Sequence, residues 1–274
     1  MKISFIKRTI PLPNQNLKLN RIIIAAGIVS LAAYLSLKII SPKDHLHYSN
    51  TMVKAARIME KAVGMLGKYC ESYGINIDNS LDPNRTGLIG HELSGFTTTL
   101  GNLQAKRTTT NPNFAAVIVR LLEQVGVAYG DTIAVGCSAS FPALMIATLA
   151  AAKAMEIHPI IVISLGASSY GATRPDFNLL NIYEVLLKQQ IFTIGPAAIS
   201  LGGDRDIGRD FTPQIKQKLI QQIQQSGIPF IYESHLQKNV TKRLKIYGCD
   251  SANKRIAAFV NIGGSYANIG TSNL

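Results

Sequence analysis

Short apolar runs alternate with longer helical patterns along the second half of this chain, and this alternation limits the fold more than any other feature. Short apolar runs bounded by turn residues are typical of buried strands, and the longer runs between them of helices. Such alternation predicts an α/β fold, a mostly parallel, doubly wound sheet with helices on both faces. The predicted strands are Thr132–Gly136, Pro159–Ser164, Ala197–Leu201, Pro229–Tyr232 and Ile256–Ile262, and the predicted helices between them are Pro142–Met155, Leu179–Gln189, Pro213–Ser226 and Leu236–Tyr247.

Upstream of this region the pattern predicts two helices and a polar loop. Thr51–Tyr73 carries an apolar seam at alternating spacings of about four and three residues. Such a seam either docks on its own domain or pairs with a second copy. Thr97–Pro112 is rich in threonine and reads as a loop, and a helix is expected over residues 113–125.

An apolar run lies near the amino terminus. Ile22–Ile40 contains one charged residue, Lys38, and as a helix it would extend roughly 28 Å, close to the thickness of a bilayer core. Five Lys/Arg and no acid precede it. A cleavable signal peptide or a buried helix are alternatives, but a single-pass anchor is favoured. The positive-inside rule then places the main domain outside the cytoplasmic membrane.

Four segments follow: a basic tail (1–21), the anchor (22–40), a helical and loop lead-in (41–130) and the α/β domain (131–274). The formal charge is +12, yet residues 1–43 hold seven basic and no acidic side chains. The other residues carry 21 basic and 16 acidic side chains, a net charge of +5. The basic excess is therefore terminal, and nucleic acid is not an expected partner. Three cysteines without a CxxC pattern exclude a disulfide scaffold and the common zinc fingers.

Glycine-rich loops with hydroxyl or carboxylate side chains follow four predicted strands. Ligands of α/β sheets bind beyond the carboxyl ends of strands, and glycine allows close approach of the backbone. No GxGxxG or GxxxxGK[ST] motif occurs, so no cofactor is specified. Lys106 and Arg107 could grip a carboxylate or lie on a solvated surface. The expected ligand-binding residues are Lys106, Arg107, Gly166, Ser168, Ser169, Gly202, Gly203, Asp204, Gly263 and Gly264.

Ser138 and Ser140 are the candidate catalytic residues. They lie at a strand-to-helix turn, where α/β hydrolases hold a nucleophile, although Ser140 replaces the second glycine of GxSxG. A nucleophilic serine needs a base, and of five histidines only His91 lies in a suggestive loop. The alternative is structural, with Ser140 capping the helix that begins at Pro142.

Two charged clusters allow more than one interpretation. Asp204, Asp206 and Asp210 are weak candidates for a metal site, because Arg205 and Arg209 are interleaved and favour local ion pairs. Lys238, Lys242 and Lys245 share one helical face, with Arg243 beside them. That face is either solvated or in contact with an anionic polymer or lipid.

An ordered set of motifs resembles the bacterial poly-gamma-glutamate system protein family over roughly residues 51–270. The upstream motifs are Leu81-Asp-Pro-Asn-Arg-Thr-Gly-Leu-Ile-Gly90, Thr97-Thr-Thr-Leu-Gly101, Ala105-Lys-Arg-Thr108 and Thr110-Asn-Pro-Asn-Phe-Ala-Ala116. The downstream motifs are Ser140-Phe-Pro-Ala-Leu144, Gly166-Ala-Ser-Ser169, Ser200-Leu-Gly-Gly-Asp204, Asp206-Ile-Gly208 and Val260-Asn-Ile-Gly-Gly264. Two departures are Gly136-Cys-Ser-Ala-Ser140, where members prefer Gly-x-Ser-Gly-Ser, and the end at Leu274, where members continue. Either the fold finishes at this end or the chain is shortened there.

The resemblance implies an accessory component of poly-gamma-glutamate biosynthesis or export. Its expected partners are that anionic polymer, the membrane and other membrane subunits. Two alternatives stay open. One is a hydrolase or transferase of gamma-glutamyl amides that uses Ser138 or Ser140, and the other is a structural anchor that holds partner subunits.

Overall fold

The protein is described by a computed structural model that covers residues 15–40, 49–249 and 255–269. The predicted basic tail over residues 1–14, the start of the lead-in at 41–48 and the chain end at 270–274 lie outside the described residues. Two compact units are present. Helix α1 (Gln15–Ile40) belongs to the first, and residues 49–249 and 255–269 belong to the second.

Helix α1 contains the whole apolar run. Exposure is described for the side chains of residues 20–36, and all of them are exposed. Over the described residues, no helix combines the length and the apolarity needed to cross a membrane. The anchor at Ile22–Ile40 stays a prediction.

The second unit is an α/β domain whose strand pairs are all parallel, as the alternation predicts. Its elements are α2 (Asn50–Ser72), β1 (Thr97–Thr99), α3 (Leu103–Thr109), α4 (Asn113–Gln124), β2 (Thr132–Ser138), α5 (Pro142–Met155), β3 (His158–Ser164), β4 (Ala167–Ser168), α6 (Leu179–Lys188), β5 (Ala198–Ser200), a 3-10 turn (Asp204–Asp206), α7 (Pro213–Ser226), β6 (Phe230–Ile231), α8 (Leu236–Tyr247), β7 (Ile256–Ile262) and α9 (Tyr266–Ile269). The central sheet has the order β6-β5-β3-β2-β7, and β1 pairs with β4 in a separate ribbon.

Alternating side chains of the central strands enter two separate cores. Ile133 and Val135 of β2 face the larger core, which also receives side chains of α2, α4, α5, α6 and α7. Ala134 of β2 faces a smaller core with Val162 of β3 and Tyr247 of α8. Helices therefore cover both faces of the sheet, as expected for a doubly wound fold.

The apolar seam of α2 is buried inside its own domain. Met59, Leu66 and Cys70 are fully buried, and α2 packs on α4 and α5. The seam lies slightly off the predicted line, because Ala55 and Ala62 are buried while Tyr73 is 70% exposed. Docking on its own domain is thus the alternative that the structure supports.

The predicted loop over Thr97–Pro112 is the main error in the secondary-structure prediction. It contains β1 and the short helix α3, which begins where the Asn102 side chain accepts the N–H of Ala105 at 3.0 Å. Seven residues carry too little periodicity to reveal a helix, so tertiary contacts stabilise this one. The correction matters because α3 carries Lys106.

We expect Met59→Ala to lower the free energy of unfolding by about 2–5 kcal/mol, since it opens a cavity where α2 meets the core. Val53→Ala on the same helix is the matched control, because Val53 is 39% exposed; its effect should stay within about 0.5 kcal/mol. Urea unfolding of the full chain in detergent micelles, followed by circular dichroism, measures both. Equal effects would contradict docking of the seam.

Candidate functional site

A cavity of about 450 Å³ lies at the carboxyl ends of the central strands. The chain runs from β2 through β3 and β5 to β6 on one side and returns to β7 on the other side of β2. The cavity therefore lies at the switch point of the sheet, where doubly wound folds bind ligands. It is lined by Thr98, Thr99, Leu100, Gly101, Ser138, Ser140, Phe141, Ser164, Gly166, Ser168, Gly202, Gly203, Asp204, Asp210, Gly264, Ser265 and Tyr266.

Most of the predicted site residues meet at this cavity. Eight of them line it, namely Ser138, Ser140, Gly166, Ser168, Gly202, Gly203, Asp204 and Gly264. Ser169 and Gly263 lie next to the lining, and Gly263 has φ +84°. A Cβ at Gly263 would lie 2.1 Å from Oγ of Ser138, so glycine is required there by packing rather than by a ligand.

Lys106 lies in helix α3 and is buried, so it is neither in a loop nor on a solvated surface, and it is not part of the cavity lining. Its side chain is buried, and its Nζ donates a hydrogen bond to the backbone oxygen of Ser140 and another, of 2.7 Å, to Oγ of Ser168. The Phe141 ring centroid lies 3.5 Å from Nζ. Burial lowers the pKa of Lys106 from 10.5 to about 8.

Arg107 points away from the cavity. Its guanidinium donates to the backbone oxygens of Leu81, at 2.8 Å, and of Ser80. The side chain therefore fastens the turn at Leu81 to α3. Arg107 does not join Lys106 at the strand-end cavity, because successive residues of a helix point in different directions.

The hydroxyls of the two candidate serine nucleophiles contact no base among the described residues. Oγ of Ser138 donates weakly to the backbone oxygen of Ile262, at 3.4 Å. Oγ of Ser140 accepts the N–H of Ser168 at 3.0 Å and does not cap α5, whose capping residue is Phe141. His91 is exposed and lies outside the cavity lining. Burial raises the pKa of the Cys137 thiol, which keeps it unreactive.

A buried ion pair lies beneath the cavity floor. Nη2 of Arg243 is 2.8 Å from Oδ2 of Asp206, and both side chains are at most 3% exposed. The same nitrogen donates to Oγ of Ser200 at 2.9 Å and to Oγ of Ser164, which lines the cavity, at 3.3 Å. Arg243 also donates to the Asn268 side chain at 2.8 Å. Strands β3 and β5 are thus joined to α8 and α9.

This network separates Arg243 from the basic cluster of its helix, and two of the three aspartates form ion pairs, the alternative that the sequence favours. Arg243 does not belong to the basic surface of α8, because its side chain is buried and its guanidinium reaches strands β3 and β5. The three aspartates do not converge either. Asp206 pairs with Arg243, Asp204 lies 3.6 Å from Arg209, and Asp210 accepts the N–H of Asp204 at 2.8 Å. Within residues 15–40, 49–249 and 255–269, no group of three or more His, Cys, Asp or Glu is placed to hold a metal ion.

Comparisons of the chain with protein-family models, with curated proteins and with solved structures give no match. The resemblance to the poly-gamma-glutamate family therefore stays a prediction, carried by the motifs named above.

Removing one partner of the buried ion pair should strongly lower the free energy of unfolding of the domain. We expect Arg243→Met to cost about 3–5 kcal/mol, because the Asp206 carboxylate is left buried without its cation. Lys54→Met is the control, since Lys54 and Glu156 form an exposed pair at 3.4 Å, and it should cost less than about 1 kcal/mol. Urea unfolding measures both. A small effect of Arg243→Met would show that the pair is not the link described.

The lowered pKa of Lys106 predicts a pH dependence of stability. Between about pH 8 and pH 10.5 the unfolded chain binds more protons at this residue than the folded chain, so its contribution to stability rises with pH. We expect the difference in unfolding free energy between the native chain and Lys106→Met to shift in favour of the native chain over this range. Urea unfolding at several pH values tests it, and a difference that is flat with pH would contradict the burial effect.

Proposed function

We propose that this protein is a membrane-anchored, extracytoplasmic accessory component of poly-gamma-glutamate biosynthesis or export. In this proposal, the strand-end cavity binds carboxylate-rich segments of the polymer. The motif resemblance supports poly-gamma-glutamate as the ligand, and the cavity supports the place where it binds.

The anchor is supported by the apolar run Ile22–Ile40 within the single helix α1 and by the basic residues that precede it. The exposed apolar side chains of residues 22–35 in α1 are those that a bilayer would cover. In this proposal the basic tail lies in the cytoplasm. The α/β domain lies on the outer side of the cytoplasmic membrane, where exported polymer is available.

The lining of the cavity is the observation that best supports ligand binding. Side-chain hydroxyls come from five serines together with Thr98, Thr99 and Tyr266, and the rest of the lining includes backbone of several glycines. Hydroxyl groups donate hydrogen bonds that suit a carboxylate. Behind the wall, Lys106 lies beside Ser168, and Arg243, whose charge is paired with that of Asp206, lies beside Ser164. The first turn of α5, next to Phe141, has no side-chain cap and adds partial positive charge.

The carboxylates of Asp204 and Asp210 repel an anionic ligand, and this repulsion offers a test of the proposal. Asp204 is exposed at the cavity mouth, and Arg209 only partly offsets its charge at 3.6 Å. A carboxylate ligand would therefore meet repulsion at the entrance, so only the inner part of the cavity favours it.

The third alternative, a structural anchor for partner subunits held by the α2 seam, loses its main support. The seam side chains that would contact another protein are already buried against the larger core.

Binding of poly-gamma-glutamate oligomers to the full chain, measured by calorimetry in detergent at low and high salt, tests the proposal. We expect salt-sensitive binding that Asp204→Asn strengthens roughly two- to fivefold, because a like charge is removed. Glu123→Gln, an exposed acid on α4, is the matched control and should change nothing.

A glycine pair tests the place of binding. A Cβ at Gly264 meets no atom within 4 Å and projects at the cavity lining, so Gly264→Ala should keep the fold but weaken binding roughly fivefold or more. Gly64→Ala, on α2 and equally free of contacts, should leave affinity unchanged. Absence of binding, or equal effects of the two variants, would overturn the assignment of the polymer to this cavity.

A further inference from the structure

Lys106 and Ser168 form a close pair at the cavity, in which Ser168 belongs to the lining and Lys106 lies behind it. Nζ of Lys106 lies 2.7 Å from Oγ of Ser168, and both side chains are more than nine-tenths buried. Among the described residues, no carboxylate forms an ion pair with Lys106. Lysine is rarely buried without a counter-ion, and burial of this kind favours the neutral amine.

The surroundings hold this pair in one arrangement. The backbone of Ser168 is fixed on one side by pairing of β4 with β1 and on the other by the 3.0 Å bond from its N–H to Oγ of Ser140. The Lys106 amine donates its other hydrogen bond to the backbone oxygen of Ser140. A neutral amine has two N–H donors and one lone pair, so it can donate to Ser140 and still accept the hydroxyl proton of Ser168.

The backbone of Gly101 packs closely against the pair. A Cβ at Gly101 would lie 2.6 Å from the backbone oxygen of Ser169, 3.2 Å from Oγ of Ser168 and 3.3 Å from Cε of Lys106, so packing requires glycine there. Gly101 and Ser168 both line the cavity, so a small acyl group in the cavity can approach Oγ. The first turn of α5 lies beside Phe141 in the same lining, and the helix dipole favours negative charge there, although Pro142 has no N–H and the N–H of Leu144 donates to the backbone oxygen of Phe141 at 3.1 Å.

We propose that Ser168 and Lys106 are a nucleophile and its general base, and that the cavity is an acyl-transfer site for carboxylic esters or amides. The proposal goes beyond binding and does not depend on which polymer, if any, the cavity receives. It replaces Ser138 and Ser140, whose hydroxyls contact no base among the described residues, with Ser168 of β4.

The reaction balances with these two groups and water. Oγ of Ser168 attacks the carbonyl carbon of the substrate while the neutral Lys106 amine takes the hydroxyl proton. The resulting ammonium returns that proton to the leaving alcohol or amine as the substrate's C–O or C–N bond breaks, and an ester on Ser168 remains. Water attacks that ester with Lys106 again as base, which releases a carboxylic acid; an amine in place of water would form a new amide.

A serine-directed phosphonofluoridate probe tests the pair directly in the full chain. Fluoride leaves, and a phosphonyl group stays on the attacking oxygen. We expect mass spectrometry with fragmentation to locate the adduct on Ser168, with a labelling rate that rises with pH around 8. Lys106→Met should lower the rate roughly a hundredfold or more, since general-base catalysis contributes about that much, and Ser168→Ala should remove the adduct.

Controls separate chemistry from folding. Ser72→Ala and Lys153→Met, an exposed serine and a lysine that donates to the backbone oxygen of Ile191, should label like the native chain. Thermal unfolding of every variant shows whether it is folded. The adduct site on the native chain is identified without use of any variant.

Three results would overturn the inference: no adduct on the folded native chain, an adduct on Ser138 or Ser140 instead, or an unchanged rate and pH profile in folded Lys106→Met. None of these would affect calorimetric binding of poly-gamma-glutamate, so failure of the dyad and failure of the polymer proposal can be told apart.

Discussion

Parallel pairing of β2 with both β3 and β7 is the constraint on which the rest of the domain depends. The register places Ser138 beside Ser164 and Cys137 beside Ile262, so the strands end at nearly the same level. Every loop that follows them must therefore leave from one edge of the sheet. Since β7 joins from the opposite side of β2, the loops diverge there and a cavity opens between them. Loops distant in sequence contribute to one site for this reason alone.

Two buried cations near this edge meet the same physical problem in different ways. Burial of the Arg243 guanidinium requires a counter-ion, and Asp206 provides one at 2.8 Å. Lys106 has no such partner among the described residues and meets the cost of burial by a lowered pKa, about 8. The arginine pair is suited to joining β3, β5 and α8 permanently. The lysine is suited to gaining and losing a proton.

Binding and acyl transfer place different demands on the same cavity. A binding site needs only donors that face the ligand, and the hydroxyl-rich lining provides them. Acyl transfer also needs a base in contact with a nucleophile that the ligand can reach. Among the serines that line the cavity in the described part of the chain, only Ser168 has its hydroxyl hydrogen-bonded to the lysine. The two functions are compatible, since a ligand held by the hydroxyls would place its carbonyl near Ser168.

The α/β class, the parallel sheet, the main helices and the gathering of glycine-rich loops at one edge were all determined by the sequence itself. These features follow from local periodicity and turn residues, and from the rule that parallel strands place their carboxyl ends together. Only the tertiary structure decided which side chains meet there. Helix α3 is too short to show a period, and it forms because Asn102 caps it and the domain packs around it. Lys106 and Ser168 are 62 residues apart, and Arg243 and Asp206 are 37 apart. No local pattern encodes such pairs, because their partners are selected by packing and by the requirement that each buried charge be paired or neutralised.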